Sequence, residues 1–256
     1  MHRIFISQFL VALLFSVGLV FAGPMEECQE YAALGVPGNS GDLLCRKGFL
    51  LSHDSDRKTP VWVAEHMTRE RVSGKKTKRS NDFQPDADLP KGRRAELSDY
   101  KGSGYDRGHM APAADMAWDE QAMSESFYLS NMVPQAGAGM NRGIWMELEK
   151  KVRRWVRERG ELYVYSGPIY QEGATRTIGR NKVAVPGHLF KVILDPRQRE
   201  AIALIMPNQP LNSHDMPKYL VPVREVEKQT GLEFFSTLPL EEQDKIESTK
   251  APALWQ

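Results

Sequence analysis

The sequence predicts an α+β fold in which helices pack on a largely antiparallel sheet. Stretches of strand character outnumber stretches of helical character. The one long amphipathic stretch lies mid-chain, rather than recurring after every strand. No internal repeat or low-complexity tract intervenes.

The elements follow in order. Residues 23–57 read as an N-terminal extension, with turns such as Val36-Pro37-Gly38-Asn39 and a strand at Phe49–His53. Residues 58–235 read as the main domain, and 236–256 as a C-terminal tail. Within the domain, Val61–His66 alternates in part and predicts a strand. Residues 69–79 and the trio Lys91, Arg93 and Arg94 are basic, a pattern that solvated surface and a phosphate-tracking face share. The loop Gly102-Ser103-Gly104 leads into Tyr105–Met116, and residues 119–127 look helical. Ile144, Leu148, Val152, Trp155 and Val156 form an apolar stripe at helical spacing, which predicts a long helix over Gly143–Arg159 ended by Gly160. Leu162–Ser166, Leu189–Leu194 and Ala201–Met206 predict strands, and a short element near Leu220–Val223 precedes a helical Arg224–Thr230.

Composition narrows the function classes. The chain has 256 residues, 41% of them hydrophobic and 26% charged, which excludes a disordered, collagen-like or polytopic membrane protein. The formal net charge is +1. A nucleic-acid partner therefore requires positive charge gathered on one face rather than a basic chain as a whole.

Residues 1–22 carry a short basic start, an apolar run from Ile4 to Ala22, and small residues at Val20 and Ala22 before Gly23-Pro24. This is the pattern of a cleaved signal peptide, with an uncleaved anchor helix as the alternative. It predicts an exported protein, periplasmic or secreted, with no stable membrane association after cleavage. The chain has only two cysteines, Cys28 and Cys45, which would pair in an oxidising compartment or remain as two buried thiols.

The chain has six histidines, so a histidine alone proves little. His109 stands apart because Asp106-Arg107-Gly108 places an acid, a guanidinium and a flexible backbone position beside the imidazole. Asn141 stands at the start of the expected helix, where a simple N-cap is the plainer reading. Glu149 and Arg153 share a helix face and could form an ordinary i,i+4 pair. Eight helical rises separate Asn141 from Glu149, about 12 Å, so both cannot ligate one ion directly unless Asn141 lies off the helix axis. No HExxH motif or Cys/His spacing suggests zinc.

DRGHMAPAADM, followed by YLSNMVPQ and NRGIWMELE, resembles the DNA/RNA non-specific endonuclease family, which includes secreted sugar-non-specific nucleases and mitochondrial endonuclease G. Arg79-x-x-x-Phe83, Ser166–Tyr170, Val185–Lys191 and Met206–Asn208 extend the likeness, from about residue 58 to 232. The resemblance implies a ββα-metal (His-Me finger) core and a metal-dependent endonuclease. Such an enzyme cuts DNA and RNA with little sequence preference and leaves 5′-phosphate ends.

By matching motif positions, the resemblance makes His109 the general base and Asn141 the direct ligand of one Mg²⁺ or Mn²⁺ per active site. It makes Glu149 a ligand through water, and Arg79, Arg107 and Arg153 phosphate-binding groups. Asp106 and Asn131 are supporting residues behind the site. A homodimer and a protein inhibitor are partners that the resemblance allows. Two other readings keep the fold: a catalytically inactive nucleic-acid-binding homologue, and a phosphodiesterase acting on small esters.

Overall fold

A computed structural model describes residues 26–256, apart from 39, 75, 172 and 174. The expected signal peptide and its cleavage point lie outside the described residues. Among the described residues, no helix is long and apolar enough to cross a membrane.

The strands and helices in chain order are β1 (Asp42–Arg46), β2 (Phe49–Asp54), β3 (Thr59–Thr68), α1 (Arg69–Ser73), α2 (Leu97–Tyr100), β4 (Asp106–His109), α3 (Glu120–Glu125), β5 (Met132–Gln135), α4 (Met146–Arg159), β6 (Glu161–Ile169), β7 (Thr177–Ile178), β8 (Val183–Ala184), β9 (His188–Asp195), β10 (Glu200–Pro207), β11 (Leu220–Val221), α5 (Val223–Thr230) and α6 (Leu240–Ser248). Seven strands form one sheet in the order β1-β2-β3-β6-β9-β10-β11, and every neighbouring pair is antiparallel. The α+β class with a largely antiparallel sheet is therefore what the chain adopts.

Both faces of this sheet are covered, and the strand alternation shows how. In β6, Leu162 and Val164 join a core with Leu148, Val152, Trp155 and Val156 of α4. Tyr163 and Tyr165, one residue out of step, point to the opposite core, where Val226 of α5, Phe234, Phe235 and Ile246 of α6 pack. The stripe predicted for the long helix is the buried face of α4.

Three expectations are corrected. The long helix begins at Met146, not Gly143, because Arg142 and Gly143 leave helical geometry (Gly143 φ −135°, ψ −115°). Residues 26–57 are not an appendage, since β1 and β2 continue the sheet and Cys28 and Tyr31 lie in its second core. The expected boundary near residue 58 thus corresponds to no break, because β2 and β3 are hydrogen-bonded neighbours. The 236–256 tail is also docked: it contains α6, and Trp255 packs against Trp155 with ring centroids 5.3 Å apart. Cys28 and Cys45 form a disulfide, tying the N-terminal turn to β1.

A smaller unit stands on the α4 side of the sheet. β4 and β5 pair antiparallel with Asp106 opposite Gln135 and His109 opposite Met132. A widened turn over Gly137–Trp145 then feeds α4, completing a ββα arrangement. Gly108 is needed inside β4 because a Cβ there would stand 2.6 Å from the Cβ of Gln135. Gly139 takes φ 77° where the turn passes Pro210, whose Cα would lie 2.9 Å from an added Cβ.

Candidate active site

The ββα unit opens onto a cavity of about 880 Å³. Arg79, Asp106, Arg107, His109, Asn141, Glu149 and Arg153 all line it. Residues spread over 75 positions of sequence are thus brought together by one loop (Arg79), one strand, one turn and one helix. Asn131 does not reach the cavity.

His109 ends β4, where the strand delivers its ring between two phenylalanines. The ring centroids lie 5.0 Å from Phe127, perpendicular to it, and 5.6 Å from Phe83. His109 Nε2 is buried with no hydrogen-bond partner, so Nδ1 is the nitrogen left to the cavity. Burial first, then the charges of Arg79 and Arg107, push the imidazole pKa down to about 3. The ring is consequently neutral at physiological pH and able to accept a proton.

The two arginines lie on the same aromatic pair. Arg107 sits over the Phe83 ring at 3.9 Å and Arg79 over the Phe127 ring at 4.8 Å. Arg79 Nε also donates to Asn81 Oδ1 at 2.7 Å. These stacking contacts leave guanidinium donors for an anion in the cavity.

Asn131 works from behind. Its Nδ2 donates to the carbonyls of Ala111 and Ser126, both at 2.9 Å, and its Oδ1 accepts from the Ala111 N–H at 2.9 Å. The side chain is fully buried and clasps the backbone two residues past His109.

Asn141 lies in the widened turn before α4, so the rise of a straight helix does not set its distance from Glu149, and both line the same cavity. Its Nδ2 donates to Asp106 Oδ2 at 2.9 Å, and Arg142 Nε reaches the same oxygen at 3.0 Å. Holding the amide nitrogen on Asp106 leaves the carbonyl Oδ1 as the group's free ligand atom. Glu149 lies in the first turn of α4, part-buried against the cavity wall. Burial raises its carboxyl pKa to about 7; Lys191, Arg153 and Arg79 oppose that rise while Asp115 adds to it. Arg153 pairs with Asp115 at 2.6 Å rather than with Glu149, so the i,i+4 pair that the spacing allowed does not form.

A hard divalent cation fits this donor set. A neutral carbonyl, a part-buried carboxylate with no direct ion pair among the described residues and open space for water match the few protein ligands that Mg²⁺ accepts. Sequence reasoning missed Phe127, Asp115 and Lys191. Lys191 could have been noticed as the one charge inside the apolar run Leu189–Leu194. Phe127 and Asp115 carry no local signal, because their partners lie 18 and 38 residues away.

Residues 29–241 match the family model for DNA/RNA non-specific endonucleases. Nuclease 1, mitochondrial, of Schizosaccharomyces pombe is 38% identical over 228 residues, covering 82% of this chain and 71% of that protein. Human endonuclease G, mitochondrial, is 36% identical over 218 residues, covering 80% and 73%. A crystal structure of the EndoG/EndoGI complex, on the mechanism of EndoG inhibition, aligns with a TM-score of 0.79 and 34% identity over 84% of this chain and 94% of that one. The expected periplasmic or secreted location is corrected by these likenesses, because the relatives at this identity include mitochondrial nucleases.

Proposed function

Since the chain belongs to the DNA/RNA non-specific endonuclease family, a family of metal-dependent nucleases, we propose that it is an endonuclease that hydrolyses DNA and RNA backbones at the cavity holding His109 and Asn141. The placing of that base and that ligand in one cavity, with three arginines around them, carries the reading.

His109 Nδ1 takes a proton from the attacking water; the lowered pKa keeps the ring unprotonated but also weakens it as a base, so positioning of the water and stabilisation of charge on the phosphate must carry much of the rate. The enclosing phenylalanines exclude bulk water from Nε2 and fix the ring plane. Arg79, Arg107 and Arg153 bind non-bridging phosphate oxygens and orient the ester for in-line attack. Asp106 holds Asn141 so that its Oδ1 would take the cation directly, and Glu149 would hold it through water. When bound, Mg²⁺ or Mn²⁺ supplies positive charge for the developing phosphorane and the departing 3′ oxygen. The products are a 5′-phosphate and a 3′-hydroxyl. All of these contacts address the backbone, which carries no sequence information, so cleavage has little sequence preference. The EndoG/EndoGI complex supports a protein inhibitor as a partner of this fold.

The test is digestion of plasmid DNA and of RNA by the purified protein, across Mg²⁺, Mn²⁺ and a chelator. The wild type cleaves both with metal and neither with chelator. His109→Ala loses at least about a hundredfold in rate, the ordinary worth of a general base, while keeping its fold by circular dichroism. Cleavage by His109→Ala at the wild-type rate would sink the mechanism.

A further inference from the structure

The pair formed by Arg153 and Asp115 has a consequence for Glu149. Arg153 Nη1 donates to Asp115 Oδ1 at 2.6 Å, with the two side chains 14% and 3% exposed. Arg153 lines the cavity and Asp115 does not. Asp115 therefore reaches the chemistry only through the guanidinium it holds. It also belongs to the segment that carries the base: its backbone N–H donates to the Pro112 carbonyl at 2.9 Å, just past the residues clasped by Asn131.

Other ionisable groups crowd the same region. Glu65 of β3 is buried with Oε2 unpartnered, and it flanks, with Asp115, a water-sized void of about 10 Å³. Lys191 is buried too, but its Nζ donates to Ser166 Oγ at 2.5 Å and lies 4.9 Å from the Trp145 ring rather than on a carboxylate. The arginine thus has competing acids nearby. One of them is Glu149, one helical turn back on α4, at the spacing that normally pairs. A guanidinium on four rotatable bonds settles where its best acceptor is.

We propose that Asp115 is a positioning residue that holds Arg153 off Glu149 and turned to the phosphate, leaving Glu149 free for the cation. This rests on the nuclease reading above. Without Asp115, Arg153 falls onto Glu149, and two functions fail together: phosphate contact and cation binding.

The experiment combines a double-mutant cycle with cation titration on the full chain. Asp115→Ala lowers kcat tenfold to a hundredfold with KM within about threefold, the scale of loss for a misplaced group. Asp115→Ala/Arg153→Ala has the same kcat as Arg153→Ala within about twofold. In calorimetry without nucleic acid, Asp115→Ala weakens Mn²⁺ binding about tenfold, and adding Arg153→Ala restores it. Asp115→Asn, which keeps an acceptor, lies between and serves for the same cycle if the alanine variant does not fold. Independent, multiplying losses in kcat overturn the proposal, as does Mn²⁺ affinity unmoved by Asp115→Ala. A wild type that cleaves neither DNA nor RNA would defeat the nuclease reading instead, while the Mn²⁺ titration would still decide the position of Arg153.

Discussion

His109 and Glu149 face one cavity, yet burial moves their proton equilibria in opposite senses for stability. The folded pKa of His109 is about 3 against an ordinary 6.5. The unfolded chain binds more protons between those values, so this contribution is full above pH 6.5 and is lost as pH falls toward 3. Buried His53, brought down to about 4, adds to the same loss. Glu149 is raised from 4.5 to about 7. Its contribution is full below pH 4.5 and is lost as pH rises through 7. Urea melts from pH 3 to 8 should therefore show a shallower acid decline for His109→Ala than for wild type. Glu149→Gln should gain relative stability above pH 7, by about 1–3 kcal/mol as a buried charge is removed. Parallel pH curves for wild type and both variants would contradict this account. The chemistry-bearing side chains were legible in the sequence because they cluster in short motifs around His109 and Asn141. The groups that tune them were not, because Lys191 and Asp115 act across contacts that only the folded sheet creates.

At the level of elements, the ββα unit depends on a close approach between β4 and β5. A methyl at Gly108 would stand 2.0 Å from Gln135 Oε1 as well as meeting its Cβ. Gly108→Ala should cost about 1–3 kcal/mol in overpacking and shift the adjacent His109, so activity at permissive temperature should fall more than the melt predicts. Full activity in that variant would mean the register of β4 does not position the base. The disulfide gives a second test of element coupling, because it closes a sequence separation of 17 between the N-terminal turn and β1. Replacing both cysteines by serine should cost about 3 kcal/mol in a urea melt. A much smaller loss would mean that Tyr31 and its neighbours hold the turn unaided. Periodicity revealed α4 because its buried stripe is complete, but its first turn was misplaced since Gly143 breaks the helix while Ile144 continues the apolar spacing. α6 escaped notice because its stripe is thin: Ile246 is buried whereas Leu240 is exposed. β4 and β5 have four residues each, too few to show alternation, and DRGH reads as a loop without its partner strand.

For the whole molecule, a formal charge of +1 conceals a polarised surface. Arg79, Lys101, Arg107, Arg142, Lys150 and Arg153 line the cavity against only Asp106 and Glu149 among acids. The remaining acids balance the chain elsewhere, including Glu227, Glu233 and Glu247, which gather around α5 and α6. A backbone-bound duplex would therefore release counterions only where it crosses this rim. Binding of a short duplex to the inactive His109→Ala protein should weaken linearly in log Kd against log salt. Lys150 belongs to the rim and pairs with Glu147 at 2.8 Å, so Lys150→Ala should lower the slope by about 1 for each phosphate contact removed. Lys228, exposed on the outer face of α5 and outside the cavity, provides the control: Lys228→Ala should leave the slope unchanged. Equal effects from the two substitutions would show that the duplex senses overall charge rather than the cationic rim, and the cavity would no longer define where nucleic acid lies.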